Sequence, residues 1–143
     1  MKRIILVLAM MLAPATAFAE GAVHKVAIHV NQNDPQVMNM ALNNVKNLMK
    51  YYASQGDTAE VEVVAYGPGL HMLIAGKSPV ADRIAAMSME NDALKFSACG
   101  NTLRAMSAKT GVEVALLDEA RVVPSGVVRL VELQQGGYAY VRP

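Results

Sequence analysis

The chain has a single cysteine, Cys99, in the run Phe96-Ser97-Ala98-Cys99-Gly100-Asn101-Thr102-Leu103. A short strand-like stretch precedes it and a helix-compatible stretch follows, so the thiol falls where a strand passes into a helix. A sulfur at that junction meets the free N–H groups and partial positive charge of the helix start, which favour the thiolate. The thiolate is the reactive form, and it can accept sulfane sulfur as a persulfide without a second protein thiol. Dithiol exchange needs a resolving cysteine, and none is available. The competing reading of such a residue is a small buried apolar side chain. The chemical reading requires an accessible sulfur held anionic by the amides that follow it.

In open α/β sheets ligands bind beyond the carboxyl ends of the strands, so residues after each strand are the ones to read for function. Asn31 and Asn33 follow the first strand, and Tyr66, Gly67, Gly69 and His71 surround the turn after the second. Cys99, Gly100, Asn101 and Thr102 mark the end of the third, and Ser125 follows the fourth. Asn101 and Thr102 are candidates to stabilise a charged sulfur adduct, with His71 as a base or hydrogen-bond partner. Gly67-Pro68-Gly69 has neither the GxGxxG spacing nor a following Lys-Ser/Thr pair, so it reads as a tight turn.

His24, His29, His71 and Cys99 could each ligate a metal, yet no pair has the spacing of a metal site. No metal or cofactor is expected, and His29 reads as a satisfied core or rim histidine. Met38 with Met40 and Met87 with Met89 are paired soft ligands of the kind a copper site uses. Residues two apart on a helix do not face each other, so packing is the better account.

The elements that must position these residues alternate in type. Strands are expected at His24–Val30, Glu60–Tyr66, Leu94–Ala98, Arg121–Val123 and Tyr138–Val141. Asp34-Pro35 is a helix cap followed by proline at the first turn. Val37, Ala41, Val45, Leu48 and Tyr52 then form one stripe, and Gly56 is a natural stop. One or two helical turns fit Leu70–Ala75, and Ser78-Pro79 repeats the cap-plus-proline signal for a helix from about Val80 to Met89. Two more helices fit Asn101–Lys109 and Val127–Gln135. This alternation predicts a three-layer α/β/α sandwich with a mostly parallel sheet of about five strands, covered by helices on both sides. Near-continuous apolar strands agree with it.

The amino terminus carries a different signal. Lys2 and Arg3 precede an apolar run, Ile4 to Ala13, and Ala17-Phe18-Ala19 matches a signal-peptidase site. Residues 1–19 are expected to be a cleavable export signal and 20–143 a single domain, giving a periplasmic protein with no membrane insertion after cleavage. The run is well short of the roughly 20 residues a membrane span needs. Of 13 basic side chains two are Lys2 and Arg3, against 12 acidic ones, so the mature chain has a net charge of −1. Charges are scattered singly, which argues against a nucleic-acid partner.

Four stretches together resemble the DsrE-like family, specifically its small exported members. They are Ala41–Val45 with Asn47, Val63–Leu70, Phe96–Leu103, and Val123–Val127 continuing through Gln135 and Gly137–Val141 to Pro143. The resemblance implies a parallel-sheet α/β/α fold, homotrimers or homohexamers, and a cysteine that carries persulfide sulfur between proteins, a role only Cys99 can match. Tyr66 stands where many such relatives carry a histidine. The expected function is therefore an exported, sulfurtransferase-like sulfur carrier. Its partner would be a sulfur-donor or acceptor protein or a small sulfane-sulfur compound. The alternative is a non-catalytic binding or assembly module of the periplasm that uses the strand-end cleft.

Overall fold

The computed structural model describes residues 21–143. The expected export signal, Met1 to Ala19, lies outside the described residues. Five strands form one parallel sheet: β1 (Val23–Val30), β2 (Thr58–Ala65), β3 (Leu94–Cys99), β4 (Ala120–Val123) and β5 (Ala139–Val141). Four α-helices join them: α1 (Pro35–Ser54), α2 (Ala81–Glu90), α3 (Gly100–Thr110) and α4 (Gly126–Gln135). A 3₁₀ segment, Gly67–Leu73, stands where one or two helical turns were expected over Leu70–Ala75.

Local chemistry accounts for the boundaries. The Asp34 carboxylate accepts the Gln36 N–H at 2.8 Å and Pro35 opens α1, while Gly56, at φ +79°, turns the chain away after it. Ser78 donates to the Met72 carbonyl and accepts from Val80 N–H, so it fixes the approach to α2 while the helix itself begins at Ala81. The buried stripe of α1 is Met38, Ala41, Leu42 and Val45, with Leu48 and Tyr52 packed partly against the core. Val37, assigned to that stripe from spacing, is only half-buried. Met38 and Met87 pack as expected, but Met89 is 88% exposed.

The strand order is β4-β3-β2-β1-β5. From β1 to β4 each strand is laid beside its predecessor in one direction, and right-handed crossovers then place α1, α2 and α3 on one face. The step from β4 to β5 reverses direction and crosses the whole sheet, which places α4 on the other face. Side-chain alternation confirms the division. Val26, Ile28 and Val30, Val61, Val63 and Ala65, and Leu94, Phe96 and Ala98 meet α1, α2, Leu103 and Met106 in the large core. Ala27 and Val64 meet Leu130 and Leu133 of α4 in a small one. Helices cover both faces, but unequally. The α4 face also carries Glu62, Ser97 and His29, which break the continuous apolar reading of the strands.

Candidate functional site

Cys99 is the last residue of β3 and the residue from which α3 springs. Its pleat position puts it on the α4 face with Ser97, level with Val123 of β4. Cys99 is 5% exposed, so of the two readings of this residue the sulfur is nearly buried rather than openly accessible. It belongs to neither apolar core. No conventional capping bond forms at this position, and the polar groups at the starts of two helices act instead on the thiol's ionisation. Burial itself raises the thiol pKa. The Thr102 hydroxyl and the backbone N–H groups of Gly126, Thr102 and Asn101 outweigh it, and the balance holds Cys99 below the ordinary thiol value.

Each donor has a structural cause. Asn101 and Thr102 are the second and third residues of α3, whose first N–H groups have no carbonyl to bind within the helix. The Gly67 N–H donates to the Thr102 hydroxyl oxygen at 2.9 Å, which leaves the hydroxyl hydrogen for the sulfur. Gly126 is the first residue of α4. A Cβ at Gly126 would lie 2.9 Å from the Tyr66 Cβ and 3.2 Å from the Cys99 Cβ. Only glycine lets the start of α4 come this close. The sulfur thus sits between the amino-terminal ends of two helices, each contributing partial positive charge.

The other residues singled out from sequence fall into two groups. Asn101 and Thr102 act on Cys99, Gly100 follows it in the chain, Gly67 reaches it only through the Thr102 hydroxyl, and Ser125 immediately precedes Gly126. Asn101 serves through its backbone, since its side-chain oxygen accepts from Arg104. Tyr66 is half-buried beside Gly126 and stacks on His29 with ring centroids 4.6 Å apart. Gly69 is structural, because a Cβ there would come within 2.3 Å of the Val30 carbonyl oxygen. Asn31 accepts from Arg142 at 3.2 Å, and His71 pairs with the Pro68 carbonyl at 3.1 Å. Neither appears among the groups acting on Cys99, so the expected His71 partnership is not formed.

His29 departs from its expected satisfied state. Its Nδ1 pairs with the Tyr140 hydroxyl at 2.7 Å, while Nε2 is buried without a partner. Burial, and then the charge of Arg142, lower its pKa. Among the described residues no group of three or more His, Cys, Asp or Glu could hold a metal ion.

Sequence reading missed the polar cluster beside the site. Glu62, 1% exposed, receives hydrogen bonds at Oε1 from Ser97 Oγ (2.6 Å) and Arg129 Nε (2.7 Å). At Oε2 it receives them from Arg121 (2.5 Å) and Arg129 Nη2 (2.8 Å). Burial raises its pKa, but the donations from Arg129, Ser97 and Arg121 overcome this and leave it at about 2. The alternation Glu60-Val61-Glu62-Val63 was the available signal, since it places both acids on one pleat face. A cavity of about 350 Å³ lies between β4 and α4, lined in part by Arg121, Arg129 and Ser125; Cys99 does not line it.

The DsrE/DsrF-like family profile matches residues 24–143, all of the described fold but its first three residues. The chain belongs to the DsrE/DsrF-like family. No curated protein matches it. The chain is also similar to the solved structure of MTH1491, a protein of unknown function from Methanobacterium thermoautotrophicum. The two are 32% identical, the likeness covers 84% of this chain and 99% of that one, and the TM-score is 0.70. Membership in the DsrE/DsrF-like family agrees with the five-stranded parallel sheet and suggests sulfur-relay chemistry; the residues around Cys99 must carry any more specific reading.

Proposed function

We propose that this protein is a sulfur carrier that accepts sulfane sulfur on Cys99 and passes it on. The observation that carries the reading is the placement of Cys99 at the start of α3, with its Cβ 3.2 Å from where a Cβ on Gly126 of α4 would lie, so that the Thr102 hydroxyl and the first N–H groups of two helices favour its thiolate. These donors stabilise negative charge, and the charge is what makes the sulfur nucleophilic. In the transfer, the Cys99 thiolate attacks the outer sulfur of a donor persulfide. A new S–S bond forms at Cys99, the donor S–S bond breaks, and the donor leaves as its thiolate. No external oxidant or reductant is consumed. Delivery to an acceptor thiolate repeats the exchange in reverse.

The near-complete burial of Cys99 adds a requirement. The surroundings of the sulfur must shift for a donor to reach it, so uptake is gated. Export to the periplasm belongs to the same proposal, supported by the Lys2-Arg3, apolar and Ala17-Phe18-Ala19 pattern. Exposed Val127, Val128 and Val131 on α4 favour the assembly reading as a second role, since they present an apolar strip on the thinly covered face.

Intact-mass measurement tests the carrier role. Reduced protein treated with inorganic polysulfide is expected to gain sulfur at Cys99, and the Cys99→Ala variant to gain none. A wild-type protein that stays unmodified while a small thiol in the same mixture is converted would overturn it.

A further inference from the structure

We propose that Glu62, Ser97, Arg121 and Arg129 act as a positioning clamp that holds the start of α4 against Cys99. The proposal deepens the reading of Cys99 as a stabilised thiolate and rests on it. The four residues come from four of the elements whose ends surround the sulfur, α3 being the fifth. Glu62 lies four residues before Tyr66 and Ser97 two before Cys99. Arg121 lies two before Val123, the β4 residue paired with Cys99, and Arg129 lies three after Gly126. One buried carboxylate therefore ties β2, β3, β4 and α4 together directly behind the site.

The geometry is more specific than packing requires. Arg129 spans both carboxylate oxygens, at 2.7 and 2.8 Å, a two-point grip that fixes the rotation of α4 as well as its distance. Arg121 and Ser97 occupy the remaining positions on the same two oxygens. Apolar side chains of similar volume often serve stability as well as a buried ionic cluster does, so stability alone does not account for this one. The space at Gly126 supplies a reason for it. Tyr66 and Cys99 would lie 2.9 and 3.2 Å from a Cβ there, so a shift of a few tenths of an ångström in α4 changes what its first N–H can reach.

Outside the cluster, Tyr66 lies beside Gly126, and the Arg104 guanidinium would lie 3.2 Å from a Cβ on Gly100. Neither bonds to Glu62. Lysine in place of Arg129 keeps the charge but loses the two-point grip, so Arg129→Lys separates position from electrostatics.

The test follows thiolate ultraviolet absorbance against pH in the wild type, Glu62→Gln and Arg129→Lys, with Cys99→Ser subtracted to remove tyrosine ionisation. Circular dichroism establishes which variants are folded, and Ile84→Val, in the core on the opposite face, controls for general loosening. Both clamp variants are expected to raise the Cys99 pKa by about half to one unit, the size of one lost hydrogen-bond contribution, while Ile84→Val leaves it in place. If Glu62→Gln does not fold, Arg129→Lys decides alone. Folded Arg129→Lys titrating with the wild type would overturn the clamp, as would an equal shift in Ile84→Val. Failure of the wild type to take up sulfur from polysulfide would count against the carrier role and leave this titration unaffected.

Discussion

The Thr102 hydroxyl accepts from the Gly67 N–H and, among the polar groups around Cys99, favours its thiolate most. Removing it leaves the Gly67 amide without its acceptor and takes one donor from the thiolate. Thr102→Val is expected to raise the Cys99 pKa by about half to one unit, and Thr102→Ser to leave it near the wild-type value, both read by thiolate absorbance. Asn101 and Thr102 were legible in the sequence because they follow Cys99 on its own helix, where the free N–H groups must point back toward the strand end. Gly126 was not, because it reaches the sulfur from another element and only the third dimension brings it there. The His71 expectation failed for a related reason. The 3₁₀ geometry of Gly67–Leu73 turns its imidazole toward the Pro68 carbonyl.

At the scale of elements, the site depends on how closely α4 approaches the end of β3. Gly126→Ala adds a methyl group that must displace Tyr66, Cys99 or the helix itself. The expected cost is about 1–3 kcal/mol of stability, typical of overpacking, read by urea unfolding. Displacement of α4 carries its first N–H away from the thiol, so the same variant should also raise the Cys99 pKa. Alternating strands and helices were readable along the whole chain, with their ends marked by Asp34-Pro35 and Gly56. The 3₁₀ segment was harder to read, since Gly67-Pro68-Gly69 marks a turn without selecting its hydrogen-bond pattern. Glu62 was obscured by its neighbours, because Val61, Val63, Val64 and Ala65 dominate the strand. Its partners Arg121 and Arg129 lie 59 and 67 residues away.

The whole molecule is asymmetric about its sheet. Three helices and the 3₁₀ segment bury one face in a continuous apolar core, whereas the other has α4, a small apolar cluster and the Glu62 cluster. Parallel sheet architecture followed from the alternation of elements, but the strand order did not, because β5 could have joined either edge. Ionic bonding on the thin face predicts acid sensitivity. The Glu62 pKa is depressed from 4.5 to about 2, so its contribution is fully present above pH 4.5 and is lost as pH falls toward 2. Glu62→Gln should lower stability by about 1–3 kcal/mol near neutral pH, because two partly solvated arginines lose their charged partner. Urea unfolding across pH should show that deficit shrinking through the same interval.

Cys99 follows the same linkage: with its folded pKa depressed, its stabilising contribution is lost as pH falls through that value and is complete above the unfolded thiol value. The most direct measurement is therefore its ionisation in the native protein and in the same chain unfolded in urea, followed by thiolate absorbance. The two helix starts and the Thr102 hydroxyl predict that the native thiol ionises at the lower pH. A native thiol that ionises at or above the unfolded value would contradict the account.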